Sequence, residues 1–239
     1  MLNLCIVSTV KGEGKTFVTA GIAATMQSLG YKTSVYKPIQ TGGLVNDGFK
    51  QAPDLTYIKT IDPYINTEFS YIFKTSAEPL MAAEAENQLI DIDVISRDYS
   101  KIVQKYDCAV IDSDGGILSP VAPMIQNADI VKKLQVPLLF VVKPSRDAIN
   151  NTMLSLNAAE EKGLKVNGVV INNIKEEDNN IELTSLIRVI EEYSNVKVLG
   201  LIPNLGIRLE PQDLITGILN GVDIESVFNV KIEKLEFGA

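Results

Sequence analysis

Residues 8–21 read STVKGEGKTFVTAG and carry the Gly-Lys-Thr ending of a phosphate-binding loop. Gly12 and Gly14 let the backbone turn tightly and present its amides, with Glu13 between them and Phe17 just beyond. Lys15 is long enough to reach β- and γ-phosphates, and the Thr16 hydroxyl suits magnesium at a helix N-terminus. The loop departs from the common pattern twice. Thr9 stands where a first glycine is usual, and a second lysine, Lys11, lies inside the turn. Magnesium asks for carboxylates as well. Asp112, ending the apolar run CAVID, is placed as a Walker B acid would be. Asp54 is a second candidate, and its competing use is to N-cap the helix that begins LTYIKT. Lys37 closes another apolar run, in TSVYKPIQTGG, ahead of Thr41 and a glycine pair. A lysine ending a strand is often only a solvated flank. Here it would share a site with Lys15, and several ammonium groups around one phosphate suit phosphoryl transfer, where negative charge builds on the transferring oxygens.

Composition removes other chemistries. The chain has no histidine, so Ser-His-Asp and Cys-His catalysis and His-ligated zinc are excluded. A net charge of −8 without a clustered basic stripe argues against nucleic acid or an anionic membrane as the main partner. Cys5 and Cys108, the only two cysteines, sit in apolar runs and read as small core residues in a reducing compartment. Residues 1–10 lack the pattern of a secretory leader and no apolar run reaches membrane-spanning length, so a cytoplasmic location is expected.

The elements that must position these side chains alternate along the sequence. Residues 3–9, 32–38, 107–113, 137–144, 166–173 and 196–203 are apolar almost throughout, as strands covered on both faces must be. Helical patterns lie between them at 15–29, 92–105, 147–163 and 180–194, the first and third closing at Gly30 and Gly163. The repetition predicts an α/β fold of the P-loop NTPase kind, in a single domain over residues 1–239: a mostly parallel central sheet with helices on both faces. Ligands of such sheets bind beyond the carboxyl ends of the strands, which selects the loops after residues 8, 37, 112, 143, 172 and 203. The stretch NIKEEDNN (173–180) reads as a surface loop, and residues 42–53 as a flexible active-site loop or a disordered one.

Together STVKGEGKT, YKPIQTG, VIDSDGG, INNTMLSLNAAEEKGLKVNGVVINN and LGLIPN resemble dethiobiotin synthetase, the ATP-dependent carboxylase of biotin synthesis, over nearly the whole chain. The resemblance implies a homodimer that converts 7,8-diaminopelargonate, CO2 and Mg-ATP to dethiobiotin, ADP and phosphate. A substrate carbamate would take the γ-phosphoryl group, and the neighbouring amine would close the ureido ring on the mixed anhydride. It also implies a nucleotide set of Gly12, Glu13, Gly14, Lys15, Thr16 and Phe17, with Glu13 in the loop's variable part. Asn172 matches the residue that reads adenine, and Pro203 lies in the adenine-flanking loop; alone, Asn172 reads as a strand-end turn residue. Thr16, Asp54 and Asp112 match the magnesium set, Asp112 standing where the family has glutamate. Lys37 matches the lysine that contacts carbamate and γ-phosphate, joining Lys15 and Lys11 as the catalytic candidates. Thr41 replaces a serine near the substrate. The segment Ala148, Ile149, Asn150 and Asn151 matches the helix start that reaches the substrate carboxylate across the dimer interface.

Two departures stand out. The family's Gly-Thr-Asp-Thr is here Ser8, Thr9, Val10 and Lys11, and its Glu-Gly-Ala-Gly-Gly is Asp112, Ser113, Asp114, Gly115 and Gly116. The added charges of Lys11 and Asp114 are expected either to compensate each other or to engage the substrate's amines and phosphates. Three other readings stay open: a switch ATPase of the partition and cell-division kind, the ATP-using half of an amide ligase acting on another carboxylate, and a nucleotide-binding protein without catalysis. The first would want its extra lysine one place earlier, at Val10, and has no counterpart of Lys37-Pro38.

Overall fold

A computed structural model describes residues 1–46, 48–175, 180–206 and 210–232. The predicted apolar runs become strands β1 (Leu2–Ser8), β2 (Thr33–Gln40), β6 (Cys108–Asp112), β9 (Leu138–Val142), β10 (Val166–Ile174) and β11 (Val198–Pro203). A further strand, β5 (Asn66–Ile72), joins them at one edge, giving a seven-stranded sheet in the order β11-β10-β9-β1-β6-β2-β5. Every neighbouring pair is parallel. β5 is half-exposed and reads NTEFSYI, too polar to match the continuous apolar pattern of a strand covered on both faces. Two short antiparallel hairpins complete the strands: β3 (Leu44–Asn46) with β4 (Phe49–Gln51), and β7 (Pro120–Ala122) with β8 (Ile125–Gln126). The first lies where a loop without regular structure was expected.

Side chains alternate across the sheet, so β1 divides its apolar residues between two cores. Leu4 and Ile6 face α1 (Lys15–Ser28), α2 (Pro53–Ile61), α8 (Pro211–Gly221) and α9 (Ile224–Phe228). Cys5 and Val7 face α3 (Pro79–Ala85), α4 (Ile92–Val103), α5 (Asn127–Leu134), α6 (Ala148–Glu161) and α7 (Asn180–Ser194). Each fully buried Ile or Leu contributes about 1.5–3 kcal/mol, so the two cores hold the strand ends in fixed register. Cys5 and Cys108 are buried free thiols, and burial pushes each up to about 12. Gly30 and Gly163 take left-handed φ of 89° and 69° immediately after the helices they close. The short helices α3, α5 and α9 escape a search for long amphipathic patterns. Of the surface stretch at 173–180, residues 173 and 174 belong to β10, Lys175 is exposed and 176–179 lie outside the described residues. Among the described residues no helix is long and apolar enough to cross a membrane.

The chain order fixes where a ligand can sit. The connection from β1 runs to β2 on the β6 side while that from β9 runs to β10 on the other, so a crevice opens between the carboxyl ends of β1 and β9. β2 is longer than predicted. It pairs with β6 only from Thr33 to Tyr36 and runs on to Gln40 against β5. Lys37 therefore lies inside a strand, just past the last β6 pairing, rather than on a solvated flank.

Candidate active site

Gly14, at φ 83°, stands at the N-cap of α1 and leaves the helix's first amides without a side-chain partner. Lys15 and Thr16 open the helix, and Thr19 follows one turn on. All three side chains turn toward Asp112 at the carboxyl end of β6. Asp112 is fully buried and accepts on both oxygens: Lys15 Nζ at 3.0 Å and Thr19 Oγ1 at 3.3 Å on Oδ1, Lys37 Nζ at 2.9 Å and Thr16 Oγ1 at 3.1 Å on Oδ2. Burial alone would raise its pKa, but Lys15 and Lys37 outweigh that and hold it down at about 2. Lys37 is buried too. Burial works against its charge, while Asp112, Asp54 and Asp114 reverse the effect and hold the ammonium above its usual range.

Lys37 Nζ also meets Asp54 Oδ2 at 2.6 Å, so one ammonium sits between two carboxylates. Asp54 does not cap its helix: Ala52 is the N-cap of α2, Pro53 follows, and the carboxylate is left for Lys37. The Ser113 carbonyl accepts from both Lys15 and Lys37, a contribution of backbone that residue types could not announce. Thr19 was not among the residues expected here, although standing four residues after Lys15 places it on the same helical face.

Lys15, Thr16, Lys37 and Asp54 of this cluster form one wall of a cavity of about 800 Å³ that also borders Lys11, Thr41, Asp114, Glu78 and Ser155. Thr41 donates through its N–H at 3.1 Å and its hydroxyl at 2.8 Å to Asp114 Oδ2. Lys11 is exposed and, among the described residues, makes no ion pair. The direct pairing of Lys11 with Asp114 is thus not formed, since Asp114 is engaged by Thr41 instead. Asn127 Nδ2 donates to the carbonyls of Asp114 and Gly116, tying the 114–116 turn to α5.

A second cavity of about 250 Å³ lies on the other side of the phosphate loop, between Phe17, Asn172, Pro203 and Leu205. Gly12 and Gly14 border both. Asn172 donates Nδ2 to the Glu13 carbonyl at 2.8 Å, while its Oδ1 is buried without a partner among the described residues. A Cβ on Gly14 would collide with the Asn172 amide, so glycine is required there by space as well as by φ. The Glu13 carboxylate turns inward and joins the loop's own framework: it accepts from Thr9 N, Thr9 Oγ1 and Val10 N at 2.7, 2.8 and 3.0 Å. The segment Ala148–Asn151 lines neither of these cavities.

A family model described as an AAA domain matches residues 3–211. The ATP-dependent dethiobiotin synthetase BioD of Anoxybacillus flavithermus is 33% identical over 86% of this chain and 93% of its own length. The enzyme of the same name from Clostridium novyi is 31% identical over 85% of this chain and 87% of its own. The chain belongs to the dethiobiotin synthetase family. Solved structures of lower identity share the fold. The MinC:MinD cell division protein complex of Aquifex aeolicus gives a TM-score of 0.59 at 17% identity over 92% of this chain and 88% of that one. A ParA family ATPase from Chlorobium tepidum gives 0.56 at 15% identity over 96% and 94%. Of the positions expected to depart from the family pattern, Lys11 and Asp114 border the cavity, while Asp112 lies buried behind Lys15 and Thr16, which line it.

Proposed function

We propose that this chain catalyses the ATP-dependent closure of the ureido ring of dethiobiotin from 7,8-diaminopelargonate and CO2. Family membership supports the coarse part, an ATP-dependent ligase of biotin synthesis. The observation that carries the finer part is the convergence of Lys15 and Lys37 on one buried carboxylate beside the cavity. The likeness to MinD and ParA proteins is one of fold and lends the switch reading no residue of its own.

The residues fit the ligands this reaction needs. The uncapped start of α1, Gly14 and the unpartnered Asn172 Oδ1 suit a nucleoside triphosphate: phosphates on the loop and an exocyclic amine donating to Oδ1. Thr16, Asp54 and Asp112 offer a hydroxyl and two carboxylates, the all-oxygen set that Mg²⁺ takes with phosphate and water. Bound there, magnesium would neutralise charge on the phosphate oxygens.

In the proposed reaction one substrate amine and CO2 give a carbamate with loss of a proton. A carbamate oxygen then bonds to the γ-phosphorus as the bond to ADP breaks. The second amine attacks the resulting mixed anhydride, phosphate leaves and a proton is released. The protein supplies position and charge and no nucleophile of its own. Lys37, with its proton secured by three carboxylates, is the ammonium that spans carbamate and γ-phosphate; Lys15 follows the β- and γ-phosphates, and Lys11 adds charge at the rim. Thr41 is held by Asp114 where it can meet the diamine. Ala148–Asn151, away from their own subunit's cavities, are assigned to the partner's substrate carboxylate in a homodimer. The protein acts in the cytoplasm on small molecules.

The test is a product assay with Mg-ATP, bicarbonate and 7,8-diaminopelargonate, following phosphate and dethiobiotin by mass spectrometry. Phosphate release that needs both co-substrates, with dethiobiotin formed, supports the reading. ATP binding without diamine-dependent product overturns it in favour of a changed substrate.

A further inference from the structure

An acidic side chain inside a phosphate loop is a paradox, because it repels the anion the loop exists to hold. Glu13 stands between the two loop glycines, yet its residue is 4% exposed, and it borders the smaller cavity but not the larger one. Its carboxylate folds back under the turn. Oε2 accepts from Thr9 N at 2.7 Å and Val10 N at 3.0 Å, and Oε1 from Thr9 Oγ1 at 2.8 Å and Lys143 N, just after β9, at 3.4 Å. Its own carbonyl accepts from Asn172, at the end of β10. One residue therefore ties the loop's entry, its apex and two neighbouring strand ends.

We infer that Glu13 is a positioning residue: an internal anion that occupies the loop's first amides, fixes the loop's shape and presents Lys11 to the cavity. Bound to this carboxylate, the Thr9 and Val10 amides are unavailable to a phosphate, and ligand contact falls to Lys11 and the residues after it. Held at Thr9 and Val10, the turn has little freedom at its next residue, and Lys11 borders the larger cavity while the Glu13 carboxylate turns onto Thr9, Val10 and Lys143. The chain thus carries two opposite charges that the loop keeps apart, the negative one satisfied by backbone and the positive one free for ligand. Charge-assisted hydrogen bonds to backbone amides are the stronger kind, which is why a buried carboxylate can serve here in spite of its desolvation. Burial raises the Glu13 pKa while the hydrogen bonds from Val10, Thr9 and Lys143 act to lower it.

This inference rests only on the nucleotide-binding part of the proposed function. It is tested by calorimetric ATP binding and steady-state kinetics on the wild type, Glu13→Gln and Glu13→Ala, with melting curves for each. Glutamine keeps the size and one acceptor but sets an amide donor against the loop's N–H groups. The expected result is a rise of roughly tenfold in ATP Kd and KM for Gln and more for Ala, with kcat changed less than threefold, since the lost hydrogen bonds act on loop shape before chemistry. A Gln variant that binds ATP like the wild type would show that Glu13 only fills space and would overturn the inference. A kcat loss at unchanged KM would overturn it too, by making Glu13 part of the chemistry. If Ala fails to fold, Gln decides alone. A wild type that binds ATP but makes no dethiobiotin leaves the Glu13 comparison intact and removes only the ring-closing reaction; a wild type that binds no ATP removes both.

Discussion

The two cavities that share the phosphate loop are built on opposite principles. On the lysine side the buried charges already have partners: Asp112 takes two ammonium groups and two hydroxyls, and Lys37 takes two carboxylates. On the asparagine side a buried amide oxygen is left without one. The first site must exchange internal bonds for ligand bonds, whereas the second gains a bond outright. Charges buried together are costly to separate, so the lysine side trades readiness for charge density. A single neutral orphan costs far less to keep, and it converts directly into discrimination when a donor arrives.

That contrast can be broken most forcefully at Asp112. Asp112→Asn leaves two neighbouring ammonium groups short of their anion, and the expected loss is about 3–5 kcal/mol in urea unfolding. A loss under roughly 1 kcal/mol would mean that solvent or Asp54 compensates and that the cluster is less closed than its geometry indicates. Lys37→Met comes next: kcat is expected to fall roughly 10²- to 10³-fold with ATP affinity little changed, as for loss of one preorganised charge in the transition state. A large rise in ATP KM at full kcat would reassign Lys37 to ground-state binding.

Asn172→Ala probes the other side. ATP affinity should weaken about tenfold while inhibition by inorganic tripolyphosphate stays the same, because only the base loses its acceptor. Equal weakening of both would move Asn172's effect into the loop, through its bond to the Glu13 carbonyl. The smallest effect is in pH. Asp112 is depressed from 3.8 to about 2, so its contribution to stability is complete above its unfolded value and is lost as pH falls through about 2. The difference in unfolding free energy between wild type and Asp112→Asn should therefore shrink on acidification below about pH 4. A difference that stays flat down to pH 2 would contradict the ion pairs.

The sites differ in legibility for the same reason they differ in construction. Lys15, Thr16 and Asp112 are readable because a phosphate loop and an acid-ended strand are local patterns. Lys37 is nameable from sequence, but its burial depends on β2 outrunning β6, a matter of strand lengths across the sheet. Asp54 looked divided between capping and ligation until Pro53 took the first helical position and Ala52 the cap. The β3–β4 hairpin and β5 were missed because short or half-exposed strands lack the continuous apolar signal.

By itself the sequence determined the alternation of strand and helix, the phosphate loop, the absence of histidine chemistry and the family, all of which rest on residue type and short spacing. Tertiary structure alone decided that Asp112 gathers four donors, that Asp114 holds Thr41 rather than Lys11, and that the Glu13 carboxylate turns onto Thr9 and Val10. Those outcomes turn on which hydrogen-bonding groups meet once the sheet has brought strand ends together. Lys15 and Asp112 are 97 residues apart in the chain and 3.0 Å apart in the fold, a distance no local pattern encodes.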